Sequence, residues 1–138
     1  MTRISATIQP KELSDQMLIA EHREIIRIPN TIMSGKAKIE NIPLSFKLGA
    51  GHVKFFYNKL KYLHNRYCAL HNECLKRGFN VQNYDECFVN VPKQLYNDWK
   101  EPIEARALLV ERINIRLKGM KTIRYYGIKK EYNEIKLQ

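Results

Sequence analysis

The stretch MTRI, Met1 to Ile4, puts a small hydroxyl residue and then an arginine directly behind the initiator methionine. Chain ends are normally frayed and carry no chemistry, so one reading is a plain start. The other is that removal of Met1 leaves Thr2 first, with a free α-amine able to act as a nucleophile. A second group of reactive residues follows in QMLIAEHREIIR, Gln16 to Arg27. At 100° per residue, Met17, Leu18, Ile25 and Ile28 gather on one side of a helix, and Gln16, Arg23 and Arg27 on another. Glu24 falls between the two stripes, a carboxylate partly shielded from water and flanked by two cations one turn apart. As a surface lattice such pairs contribute only a few tenths of a kcal/mol. Arg112 and Arg116 repeat the one-turn spacing, and Lys121, Arg124, Tyr125 and Tyr126 interleave basic with aromatic residues. That mixture suits phosphates and unstacked bases; core packing is the competing reading of the two tyrosines.

Three helices must position these groups. The first is expected from about Ser14, an N-cap residue, to about Ile28, with Pro29 ending or kinking it. The second and longest spans residues 49–78: Phe56, Leu60, Leu63, Tyr67, Leu70 and Cys74 recur at steps of four and three along one face. GAG, Gly49 to Gly51, stands where it begins, and Lys76, Arg77 and Gly78 form a conventional stop. The third runs from Ile103, after Pro102, to about Lys118, with Gly119 closing it. Residues 29–48 and 79–101 are irregular connections, although FVNV, Phe88 to Val91, has the composition of a short extended piece. The pattern predicts an all-α fold: a compact single domain, residues 1–138, of three main helices with irregular connections and an aromatic, basic C-terminal tail.

The bulk composition narrows the partners. Lys and Arg number 24 against 14 Asp and Glu, a net charge of +10 on 138 residues. A domain this basic most often meets a polyanion, and nucleic acid leads. No run of about 18 apolar residues is present, so no membrane span is expected, and no apolar stretch follows a basic start as in a secretory signal. Cys68, Cys74 and Cys87 form no CxxC pair, which points to reduced thiols in a cytoplasmic setting. His64, Cys68 and His71 lie one turn apart on the long helix and could hold zinc, but spacing offers no fourth ligand and the face borders the apolar stripe; no metal or cofactor is expected. GAGH, Gly49 to His52, is read as a tight turn in preference to a phosphate cradle.

Five stretches together resemble the phage endonuclease V family, the pyrimidine-dimer DNA glycosylases with an abasic-site lyase activity. They are MTRI, SDQMLIAEHREIIR (Ser14 to Arg27), LGAGHVKFFYNKL (Leu48 to Leu60), ECLKRGFNV (Glu73 to Val81) and RYYG (Arg124 to Gly127). The resemblance implies a mostly helical, metal-free enzyme acting on damaged double-stranded DNA, with the amine of Thr2 as nucleophile and Glu24 as the essential carboxylate. It implies DNA contacts from Arg3, Gln16, Arg23, Arg27, Arg112 and Arg116, and it implies that the base opposite the lesion is flipped out. The tail, with Arg124, Tyr125 and Tyr126, joins this candidate surface. The chain departs from the family where Thr122 and Ile123 replace a Trp-Tyr pair, where Met17 replaces a histidine, and in a shorter connection after Arg27. A monomer in the cytoplasm of a bacterium or a virus-infected host is expected.

The chemistry suits these residue types. Opening an N-glycosidic bond needs a nucleophile at the anomeric carbon and stabilisation of developing positive charge. An α-amine has a pKa of about 7.7–8.0, so a useful fraction is neutral near pH 7, whereas a lysine near 10.4 is almost wholly protonated. Arg3, Arg23 and Arg27 should lower the amine further, because like charges disfavour the ammonium form. Glu24, as carboxylate, would balance the charge on the sugar and shuttle protons during ring opening.

Overall fold

Ser14 opens the first helix as its residue type predicts, its hydroxyl accepting the Met17 N–H at 3.3 Å. The computed structural model describes residues 2–138, and Met1, with its expected removal, lies outside the described residues. Helix α1 (Asp15–Glu24) stops short of Ile28. After a turn at Ile25 and Ile26 the chain enters α2 (Arg27–Met33), with Pro29 in its first turn. Proline is tolerated there because first-turn N–H groups have no intrahelical partner to lose. Glu24 thus ends one helix and Arg27 begins the next.

The long helix is also divided. A short α3 (His52–Phe55) and a 3-10 turn (Phe56–Asn58) precede α4 (Leu60–Lys76). Gly49 and Gly51 take φ of +70° and +88°, which L side chains rarely adopt, and this sharp turn limits where α3 can begin. Lys59 leaves the helical region at φ −129°, ψ 44°, while its ammonium caps the Phe55 carbonyl at 2.9 Å. The predicted apolar stripe survives both breaks, and all six of its residues are buried. Helix α5 (Ile103–Lys118) has the expected bounds, closed by Gly119.

The all-α, three-helix expectation is overturned by the tail. Strands β1 (Ile123–Tyr125) and β2 (Ile128–Lys130) form an antiparallel hairpin with Ile123 opposite Lys130, Arg124 opposite Lys129 and Tyr125 opposite Ile128. Its turn is Tyr126-Gly127, both with positive φ, the geometry that matches the twist of a two-residue hairpin. Strands of three residues are too short to show an alternating pattern, which is why periodicity misses them. A short α6 (Tyr132–Ile135) follows. FVNV is not extended: Phe88 closes a 3-10 turn (Asp85–Phe88). Helix α1 packs on both α4 and β1, with Ile123 buried. One apolar cluster runs from Ile4 and Ile8 through α1 and the α4 stripe to Leu109, Ile113 and Leu117 of α5.

Candidate active site

The N-terminal segment is the least expected part of this core. Thr2, Ile4, Ser5, Ala6 and Ile8 are all buried, although termini usually fray. Its backbone is held by side chains from elsewhere in the chain. The Ile4 N–H donates to Nε2 of His52 at 3.0 Å. The Ala6 carbonyl accepts from the Tyr62 hydroxyl at 2.9 Å and from Arg66 at 3.2 Å, and the Ile8 carbonyl accepts from Arg66 at 2.8 Å. Arg66 is itself pinned by Glu21 of α1 through two hydrogen bonds, one of them 3.0 Å from Nη2 to Oε1. Both side chains are almost fully buried, at 6% and 4% exposure. Burial pulls the Arg66 guanidinium towards neutrality, but Glu21 more than offsets it, so the cation is held above its ordinary pKa.

Charged side chains from three segments lie close together here: Arg3, Glu24 of α1, and Arg112 and Arg116 of α5. Glu24, at the end of α1, is only 17% exposed and has an Arg23 nitrogen 3.7 Å away, while Arg23 itself lies open at 61%. Arg27, one turn on, is exposed. Arg116 of α5 is held below its ordinary pKa by burial and by Arg3, and pulled the other way by Glu24. Arg112 is pushed down to about 10 by burial, with Arg3 and Arg116 adding like-charge repulsion. Its Nε and Nη2 are buried with no hydrogen-bond partner among the described residues, an arrangement that costs about 1–3 kcal/mol or more for a charged group. Arg3, Arg112 and Arg116 line an open pocket of ≈ 370 Å³ whose remaining walls include Leu48, Leu108 and Ile115. Three crowded cations beside apolar walls, one of them with two unmet buried nitrogens, make a site that an anion would complete.

A family model described as Pyrimidine dimer DNA glycosylase matches residues 1–86. The chain belongs to the pyrimidine dimer DNA glycosylase family. Family membership makes it an enzyme of DNA repair that acts on damaged DNA and hence binds DNA. The match includes Thr2, Arg3, Gln16, Arg23, Glu24, Arg27, His52 and Arg66; Arg112, Arg116 and the hairpin lie beyond it. Among the described residues, no helix is long and apolar enough to cross a membrane.

The remaining candidates on this glycosylase-family chain sit elsewhere. Gln16 uses both ends of its amide on the hairpin, donating to the Thr122 carbonyl at 2.8 Å and accepting the Arg124 N–H at 3.2 Å. The turn of the hairpin docks on the opposite end of α1 from Glu24: Asp15 accepts the Tyr126 N–H at 3.0 Å and the Gly127 N–H at 2.8 Å. Those two ends of α1 are about 14 Å apart at 1.5 Å per residue. Arg77, whose side chain is fully buried, lies over both tyrosine rings, 4.7 and 4.8 Å from their centroids. The hydroxyls are engaged as well, Tyr125 with the Lys11 carbonyl and Tyr126 with Glu73, each at 2.8 Å. Arg124 is exposed. Of the zinc trio, His71 turns away to pair with His22 at 3.1 Å, while His64 and Cys68 stay together around Asp85, whose Oδ1 is 2.6 Å from His64 Nε2 and 3.8 Å from Cys68 Sγ, and Tyr96 meets His64 Nδ1 at 2.9 Å. Sequence reasoning missed His52, Tyr62, Arg66 and Glu21 as the holders of the N-terminal segment. Their partners are 45 to 60 residues away along the chain, so no local pattern carries them.

Proposed function

We propose that the protein excises a damaged base, with pyrimidine dimers as substrate, through the α-amine of Thr2 exposed by removal of Met1. The amine attacks the anomeric carbon of the deoxyribose. The N-glycosidic electron pair leaves with the base, and ring opening gives a protein–sugar iminium. Loss of a C2′ proton then expels the 3′ phosphate by β-elimination and breaks the strand. Glu24 balances the cationic sugar and moves protons at C1′ and O4′. Arg3, Arg23, Arg27, Arg112 and Arg116 hold phosphates, and Gln16 fixes the hairpin that carries Arg124, Tyr125 and Tyr126 to the DNA.

The observation that supports this reading is that Arg3, next in the chain to Thr2, lines one pocket with Arg112 and Arg116, and that Glu24 lies near enough to Arg116 to favour its charge. A Glu24→Gln substitution keeps the size of the side chain and removes its charge. Base release should fall by about 100-fold or more, while damaged duplex remains bound. Excision at the wild-type rate would remove Glu24 from the mechanism. Borohydride reduction should covalently join the wild-type protein to damaged DNA; a protein that only binds is never trapped.

One observation favours a second reading, cleavage at abasic sites or removal of a different lesion. Ile123 is buried against the core and the Thr122 carbonyl is held by Gln16, at the positions where the family resemblance has two aromatic rings. Trapping on dimer-containing against abasic duplexes separates the two readings.

A further inference from the structure

His52 is 3% exposed, and both of its ring nitrogens meet backbone. Nε2 accepts the Ile4 N–H at 3.0 Å, and Nδ1 lies 2.8 Å from the Lys47 carbonyl. Only one protonation state makes both bonds. A carbonyl can only accept, so Nδ1 carries the hydrogen, and Nε2 is left as the bare acceptor that the Ile4 N–H requires. Phe46 and Phe56 pack at right angles to the ring, with centroids 5.6 and 5.4 Å away, and fix its plane. The charged groups facing it are Arg112 from α5, which opposes a second proton, and Glu21 from α1, which favours one. Burial is the largest influence and keeps the imidazole below its ordinary pKa.

We propose that His52 is a positioning residue for the N-terminal amine: by holding the Ile4 backbone, its Nε2 fixes the two preceding residues, Thr2 and Arg3, against the cationic pocket. The proposal rests on the reading that the Thr2 amine attacks the sugar. Ala6 and Ile8 have their own anchors in Tyr62 and Arg66, so losing the His52 contact releases only the first few residues and leaves the core closed. Attack requires approach to about 3 Å, and a misplacement of about 1 Å costs about 100-fold in rate. A proton on Nε2 would convert the acceptor into a donor facing the Ile4 N–H. The same contact therefore ties the placement of the nucleophile to the neutral state of one buried ring.

The test compares His52→Gln with His52→Asn. The glutamine oxygen reaches about as far as Nε2 and can accept from Ile4; asparagine reaches only as far as the Nδ1 side, towards Lys47. Borohydride trapping on an abasic duplex, under single-turnover conditions, reads the covalent step, and duplex affinity is measured beside it. His52→Gln should stay within about threefold of wild type, and His52→Asn should trap about tenfold more slowly or worse, with both affinities nearly unchanged. Equal losses in the two variants, or wild-type trapping by His52→Asn, overturn the proposal. If the wild-type protein is not trapped at all, it is the Thr2 mechanism that fails. Where a variant does not fold, the wild-type protein carries the test by NMR. The Ile4 amide should lose its protection from hydrogen exchange as the His52 ring titrates; protection that persists on the protonated ring overturns the proposal.

Discussion

Replacing Arg66 by methionine keeps much of the side chain's length and apolar volume but removes the cation that Glu21 faces. Glu21 is left as a carboxylate at 4% exposure, and the Ala6 and Ile8 carbonyls lose their Arg66 donors. Breaking a buried pair in this one-sided way costs about 3–5 kcal/mol. A chain of this length is stabilised by about 7–20 kcal/mol in total. An unfolding entropy of about 2.1 cal/mol/K per residue, summed over the chain, gives about 290 cal/mol/K, so Tm should fall by about 10–17 °C. Adding Glu21→Leu removes the stranded charge and should recover most of the loss, because apolar replacement of a whole buried pair is often neutral. What remains is about 1–3 kcal/mol for under-satisfied carbonyls, a fall of about 3–10 °C. Thermal melts followed by circular dichroism, run as a double-mutant cycle at pH 7, read all four values. If the double variant melts as low as Arg66→Met alone, the stranded carboxylate is not the cause. If Arg66→Met costs under about 1 kcal/mol, the pair behaves as an exposed one and the argument for a pinned N-terminal segment fails.

Arg112→Met should leave Tm unchanged or raise it by a few degrees, because the guanidinium is buried with unmet donors, while duplex affinity falls by about tenfold; a large drop in Tm would mean that Arg112 has a structural partner. His22 is 2% exposed and held down to about 4 by burial and by His71. The unfolded chain takes up this proton below about pH 6.5, whereas the folded one resists until about 4. Stability should therefore decline by about 3 kcal/mol as pH falls through that window, and urea melts of His22→Phe should lack this component. A wild-type slope unchanged by the substitution would assign the decline to other groups.

The elements legible in the sequence are those whose evidence is local. The stripe from Phe56 to Cys74 predicts its own burial because a helix brings every third and fourth residue to one face, and Pro102 and Gly119 mark the ends of α5 by their backbone constraints alone. The hairpin is invisible by the same criterion. Its turn is fixed by Asp15 and its first strand by Gln16, more than 100 residues away, and three-residue strands leave no periodicity to read. The division of the first helix was equally hidden, since Pro29 is compatible with ending one helix or starting another. In the candidate site, the nearness of Glu24 to Arg23 could be read from the sequence, but the nearness of Glu24 to Arg116, and of Arg3 to Arg112 and Arg116, could not, because residue spacing says nothing about which segments converge.

The distribution of satisfied and unsatisfied groups argues further than the residue types do. The backbone of residues 4–8, which in most chains would be solvated and mobile, is held by three buried polar side chains, His52, Tyr62 and Arg66. Nearby, two buried nitrogens of Arg112 have no partner among the described residues, and Arg3 and Arg116 crowd it. A fold selected for stability alone would do the reverse: let the terminus fray and pair or discard the buried cation. Both departures have the same physical consequence. The first keeps a chain end in one place, so that little conformational entropy remains to be lost when a substrate arrives. The second keeps a positive potential at that place that only an incoming anion neutralises. Core packing alone explains neither, whereas the proposed attack by the Thr2 amine on a polyanionic substrate would account for both.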